Sequence, residues 1–414
     1  MERINRLKSS IVNNQETYFL FITLFGYILS DINPFELKKL SLAANLLLRG
    51  FVFILSICFI IKNFEIIKKR KIVIASFLLF FSFYIMKVNY TLQNFPFNNN
   101  VLPALRNVLY YFVLIIVPLP VVAILSLDYK KIDFKRFYRT VFSFLFVILT
   151  INFLFIGKEN GNRNGIFNAY YIITGYYGLS LVVMSLFSYL FLKEKSKIYL
   201  IGLILGFIPM FISAARSPVL AFFLIILLFI LLKNKRKYWI YSGIAAVLFA
   251  VSFFIIYKSG IGDNIIFFKR INAAIFERNA SGRSYYLNKG IDIFINNPLI
   301  GGRILFEDGM YPHNLFVDIL MSTGVLGMIV FIIYFKFVVK SFIKVLKNIY
   351  KYKESGILAF FFFQYFILTQ TSGNTYSSFE FWYFGAAIIG LGYINLTNEE
   401  IKSNDSRGYA TGDH

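Results

Sequence analysis

Apolar runs long enough to cross a bilayer recur along the whole chain, and they leave little room for any other kind of fold. A transmembrane helix needs about 20 such residues. The runs predict an all-α polytopic membrane protein with about twelve transmembrane helices. They fall at about 17–31, 43–62, 71–89, 104–127, 138–156, 167–192, 198–213, 217–233, 238–257, 313–335, 356–371 and 376–395. Composition agrees: of 414 residues, 58% are hydrophobic and only 15% charged, where a soluble domain carries about 25% charge. No hydrophilic block is long enough for a separate soluble domain. Residues 1–414 are therefore expected to form one integral-membrane domain, with a single large loop at 258–312. The first span follows a short basic start with no small-residue cleavage site, which predicts a retained helix.

A net charge of +22 raises the question of nucleic acid. The distribution answers it, because most Lys and Arg lie in short clusters at alternate loops. These are Lys62 with Lys68 to Lys71, Lys130 to Arg139, Lys193 to Lys197, Lys233 to Lys237, and Lys336 to Lys353. That is the positive-inside pattern of a membrane protein, not a nucleic-acid footprint. With Arg3, Arg6 and Lys8 it puts both termini in the cytoplasm and the long loop on the extracytoplasmic side. The single cysteine, Cys58, excludes disulfides and cysteine metal sites within one chain.

The long loop is the first place to look for chemistry, since water-soluble substrate groups can be held there. The stretch from Gly260 to Gly327 contains it and carries Arg278, Arg283, Lys289 and Arg303. Within it Leu287, Ile291, Phe294 and Ile295 recur at helical spacing, which predicts an amphipathic helix over 284–296 that lies on the membrane surface or caps a cavity. Asn297-Pro298 ends it and Gly301-Gly302 permits a tight turn. The arginines around it read equally as converging on one anion or as solvated loop charges.

His313 opens the tenth span and is the one histidine away from the terminal His414. Imidazole suits proton transfer near neutral pH, and a helix N-terminus favours its neutral form, the form a base needs. A lone histidine is more often structural. Asn314 beside it could orient a substrate hydroxyl, and Asp318 could partner a polar group or pack against another helix. Between spans seven and eight, Ser213-Ala-Ala-Arg216-Ser-Pro218 sets an arginine at a helix start, readable as an anion-binding corner or as an interfacial anchor. Arg163 lies in a Gly- and Asn-rich loop. Arg49 and Glu380 are charges inside apolar spans; such groups face cavities or partners, or snorkel to the interface.

No metal site is apparent and no cofactor is expected. There is no second internal histidine, no Asp-x-Asp pair and no Walker, GxSxG or HExxH motif. One base and several arginines at one membrane face fit a phosphate or pyrophosphate leaving group and an acceptor hydroxyl.

In order along the chain, Arg163-Asn-Gly165, Ser213-Ala-Ala-Arg216, Ser281-Gly-Arg283, Asn297-Pro-Leu-Ile-Gly301, His313-Asn314 and Gly324-Val-Leu-Gly327 resemble the motifs of the bacterial O-antigen polymerase and O-antigen ligase superfamily. The chain departs from the pattern where Tyr285 or Tyr286 stands in place of a tryptophan and where alanines separate Ser213 from Arg216. The resemblance implies a metal-independent integral-membrane glycosyltransferase of the bacterial inner membrane. Its donor would be a glycan on undecaprenyl diphosphate. His313 would be the catalytic base or acceptor positioner, and Asn314 would help position the acceptor. Arg216 and Arg283 would bind the diphosphate, with Arg163 and Arg303 as secondary ligands. The expected activity is polymerisation of O-antigen or capsule repeat units, with a chain-length regulator and a flippase as further partners. Transfer to lipid A-core by a ligase is the nearest competitor, and transport of lipid-linked sugars a more distant one.

Overall fold

A computed structural model of the chain describes residues 14–31, 38–97, 102–155, 171–213, 215–259 and 282–394. Among the described residues every predicted span is mainly helical, the first in two pieces, Gln15–Phe25 and Ile28–Asp31, and the fourth with a π-helical turn at Tyr111–Ile116; no strand occurs among them. In chain order the longer helices are α1 Gln15–Phe25, α2 Lys38–Lys62, α3 Lys71–Asn94, α4 Leu102–Tyr110, α5 Pro118–Ser126 and α6 Phe134–Phe155. They continue with α7 Tyr171–Phe187, α8 Lys197–Ile212, α9 Arg216–Lys233 and α10 Arg236–Lys258. The last are α11 Arg283–Asn296, α12 Leu315–Lys347, α13 Ile357–Ser372 and α14 Phe379–Gly392. Among the described residues, 7 helices are long and apolar enough to cross a membrane. Others, such as α8 at 16 residues and α14 at 14, are apolar but shorter. The protein is an all-α polytopic membrane protein.

Aromatic side chains fill the core between α3, α12 and α14. Trp382 is fully buried, with Phe81 at 5.1 Å, Phe80 at 5.7 Å and Phe331 and Tyr334 at 5.9 Å between ring centroids. Such tilted and edge-on pairs add to the area term. The indole N–H donates to the Thr375 carbonyl at 2.9 Å. Asp318 of α12 accepts from the Thr375 amide at 2.8 Å and from its hydroxyl at 2.6 Å. A buried carboxylate must be hydrogen-bonded, and here those bonds fix the turn between α13 and α14 against α12.

The basic stretch 336–353, expected as a loop, is largely helical: α12 runs on to Lys347 and a short helix covers Ile349–Tyr352. The spacing explains it. Lys336, Lys340, Lys344 and Lys347 recur every three or four residues, with Val338, Ser341 and Val345 buried on the opposite side. Lys344 Nζ donates to the Gly392 and Ile394 carbonyls, satisfying the end of α14.

α12 is also kinked. Gly324 sits at φ 65, ψ −164, so the helical ladder breaks there. The loop after α11 fills the break backbone to backbone. Val325 N donates to Pro298 O at 2.8 Å, Leu326 N to Leu299 O at 3.1 Å, and Gly302 N to Met321 O at 2.9 Å. Only glycine fits on either side. A Cβ on Gly301 would lie 2.5 Å from Ser322 backbone atoms, and one on Gly324 would lie 2.5 Å from Leu299 O. From α3, Lys87 Nζ donates to Gly301 O at 3.0 Å and Thr91 Oγ1 accepts from Ile304 N at 3.2 Å. The Asn-Pro-x-x-Gly and Gly-x-x-Gly stretches are thus two halves of one junction.

Candidate active site

The last carbonyls of α13 have no helical partners of their own, and residues from α11 and from the turn before α12 meet them. Asn314 Nδ2 donates to Gln370 O at 3.1 Å, Arg283 Nη1 to Thr371 O at 2.7 Å, and the Tyr311 hydroxyl to Ser372 O at 3.3 Å. Ser372 Oγ lies 3.3 Å from Ser217 Oγ at the start of α9. The Tyr176 side chain of α7 lies beside both serines and within electrostatic reach of Arg283.

Two helices begin at this point, and each begins with an arginine. Arg216 is the first residue of α9, after Ala215, and Arg283 the first residue of α11, after Gly282 at φ 74. Neither helix has a side-chain cap on its first amides. A helix N-terminus carries about half a positive charge, and uncapped amides there are ready anion donors. Arg283 gives one nitrogen to Thr371 O, and its guanidinium has further N–H donors.

His313 stands beside Arg283 in the turn before α12. Its φ is 59, a left-handed value that side chains rarely adopt. Such strain costs roughly 1–3 kcal/mol and gathers at functional sites. The ring packs against Tyr311 at 4.4 Å and Tyr286 at 6.1 Å, and its buried Nδ1 has no hydrogen-bond partner. Burial, and then the Arg283 charge, push its pKa down to about 4 against a smaller upward pull from the Ser372 backbone. At neutral pH the imidazole is uncharged, with a nitrogen able to accept a proton.

Asn314 holds the start of α12: its Oδ1 accepts from the Phe316 and Val317 amides, both at 3.1 Å. With Nδ2 on Gln370 O, its carboxamide ties two helix ends together. Arg303 is 7% exposed and engaged locally. It donates to Leu305 O at 2.6 Å and to Glu307, and it lies 5.0 Å over the Phe95 ring. Glu307 also takes Lys289 of α11 at 2.8 Å. Burial raises the Glu307 pKa, but Lys289 and Arg303 outweigh it and leave the carboxylate below its ordinary range. Arg303 thus buttresses α11 from behind. Arg163 and Arg278 lie outside the described residues. The predicted amphipathic helix is α11. Leu287, Ile293 and Phe294 are half-buried, while Ile291, Ile295, Leu299 and Ile300 stay exposed, an apolar strip suited to a membrane surface.

Arg283, His313 and Asn314 therefore meet around the end of one helix, and the helix that Arg216 begins touches that end through Ser217. Residues 201–332 match the O-antigen ligase family model. That match is consistent with the O-antigen polymerase and ligase superfamily, whose members in this family are glycosyltransferase-like enzymes. The family segment runs from α8 into α12 and includes Arg216, Arg283, Arg303, His313 and Gly324, as well as the 297–302 graft. No curated protein matches the chain. Sequence reasoning missed the receiving end of this candidate site, Gln370 to Ser372, with Ser217 and Tyr176. Three ordinary polar residues at the close of an apolar run carry no motif.

Proposed function

We propose that the protein is an integral-membrane glycosyltransferase that polymerises polysaccharide repeat units at the extracytoplasmic face of a bacterial inner membrane, with both termini in the cytoplasm. The observation that carries this reading is the meeting of two arginine-led, uncapped helix starts with a neutral histidine whose Nδ1 lacks a partner. Arg216 and Arg283, with the first amides of α9 and α11, hold the diphosphate of an undecaprenyl-linked donor. His313 accepts the proton of the acceptor hydroxyl as its oxygen bonds to the anomeric carbon. The bond from that carbon to the phosphate oxygen breaks, and undecaprenyl diphosphate leaves with its charge held by the arginines. Asn314 sets the position of His313 by fixing the start of α12. Arg303 supports α11, and Arg163 remains a further candidate ligand. An apolar cavity of about 920 Å³ between α8, α9 and α10, lined by Phe207, Phe211, Val219 and Trp239, gives the lipid tail a course alongside the helix that Arg216 begins.

Deletion of the gene separates the polymerase from the ligase. Loss of a polymerase leaves surface glycan of a single repeat; loss of a ligase leaves full-length polymer stranded on undecaprenyl diphosphate. Single repeats on a gel are the expected result, and stranded polymer overturns it.

The acid limb of the rate profile gives a second test. The neutral imidazole is the active form, so activity falls as pH drops through the pKa of His313. That value is about 4 in the free protein, and kcat/KM should therefore hold level through pH 6.5 and fall only near pH 4. Removing a cause of the depression raises the pKa, so Arg283→Gln should move the limb to higher pH. Bound diphosphate offsets the same positive charge, which places the limb of kcat above that of kcat/KM. A limb at 6.5 that Arg283→Gln leaves in place would count against His313 as the base.

A further inference from the structure

A second group of charges lies at the same end of the bundle, within reach of Tyr176. Arg49 of α2 sits within an apolar span. Its guanidinium is 4.5 Å from the ring centroid of Phe379 and 5.4 Å from that of Tyr27, and it lies within electrostatic reach of Tyr383. Glu380 follows Phe379 in the first turn of α14 and lies within electrostatic reach of Tyr27, Tyr176, Tyr365 and Tyr383. The Tyr27 and Tyr365 hydroxyls are 3.3 Å apart. Arg49, Glu380, Tyr111 and Tyr176 are only partly buried, although their neighbours Tyr27, Phe379 and Tyr383 are buried. Ionised groups inside a membrane span face the bundle interior or a water-filled cavity rather than lipid.

The backbone beside these groups is unusual as well. After α4 the chain winds as a π-helix over Tyr111–Ile116. Pro118 has no N–H to give the ladder, and Val117 N donates back to Phe112 O at 3.1 Å, one residue further than in an α-helix. Such π segments recur at functional sites. This one turns Phe112 towards Phe379, at 6.3 Å, and offers the Ile116 carbonyl to the Tyr383 hydroxyl. It also leaves the Tyr111 hydroxyl buried within electrostatic reach of Arg49, with no hydrogen-bond partner.

Aromatic faces, one carboxylate, one guanidinium and an unpaired phenol match the chemistry of a sugar ring, whose C–H face stacks while its hydroxyls both give and accept hydrogen bonds. They do not match a diphosphate, which Glu380 would repel. Tyr176 joins the two regions: it reaches Ser217 and Ser372 on one side and Glu380 on the other. We propose that Arg49, Glu380 and Tyr111 form a subsite for the acceptor sugar of the incoming lipid-linked unit. The assignment rests on the polymerase reading and adds to it the place where the second substrate is held.

The test uses the full-length protein in nanodiscs and two radiolabelled probes, undecaprenyl diphosphate and the lipid-linked repeat unit extracted from the deletion strain. Glu380→Gln is expected to lower the preference for the repeat unit over bare undecaprenyl diphosphate by about tenfold. Tyr111→Phe removes only a hydroxyl that the fold does not use, keeps the melting temperature, and is expected to lower the same preference several-fold. Neither variant should change the affinity for undecaprenyl diphosphate. Unchanged preference in both variants, or equal weakening of both probes, overturns the subsite. The polymerase reading is scored separately: wild-type protein that joins no repeat units would defeat it, while the binding preference still decides the subsite.

Discussion

His313→Asn is expected to reduce repeat-unit joining by about 10²–10⁴-fold, the range that a positioned base contributes. Asparagine is the informative replacement. It tolerates the left-handed backbone at φ 59 better than most residues, so the turn before α12 keeps its shape, and it is polar but does not titrate. Undecaprenyl diphosphate binding should persist, because Arg216 and Arg283 remain. The measurement is polymer formed from extracted lipid-linked units by purified protein, together with thermal unfolding to show an intact fold. A variant that folds and polymerises at the wild-type rate would remove His313 from the chemistry and leave it a structural turn residue.

Gly324→Val is expected to destabilise the protein by more than about 3 kcal/mol, since it combines a positive φ with a clash against backbone. The new Cβ would meet Gly301 N and Leu299 O at 2.5 Å, and neither is a side chain that can swing away. Displacing that strand of loop breaks the three backbone bonds that join it to α12, and with them the seat of α11 and Arg283. Activity and melting temperature should therefore fall together. Gly50→Ala is the control, because nothing lies within 4 Å of its added methyl; a helical alanine there should be neutral or slightly stabilising. A Gly324→Val protein that melts like the wild type would refute the backbone graft.

The helices were legible because lipid imposes a length and a composition that few sequences meet by chance. His313 and Arg283 were legible as polar groups at the edges of apolar segments. Their common address was not, because Gln370, Thr371 and Ser372 become recognisable only when α13 ends against three other elements. Arg303 shows the reverse difficulty. Beside Arg283 in composition and loop, it looks like another anion ligand, yet Glu307 four residues on and the Leu305 carbonyl hold it locally. The long α12 was misjudged at its basic end, where charge outweighed the buried Val338 and Val345 that keep the pattern helical. The π-helical turn left no mark beyond Pro118 itself.

α12 has one more consequence. Beyond the break at Gly324 its helix runs over residues 325–347 and is about 35 Å long, while the hydrocarbon it crosses is about 30 Å thick. Its first turn is bolted to Gln370 and Thr375 through Asn314 and Asp318, and its last turns carry the lysine face that seeks lipid headgroups. The helix therefore acts as a depth gauge. The lysines set its height in the bilayer at one surface, and the length above them, with the loop-filled break at Gly324 held by backbone bonds, fixes how far His313 stands from the other.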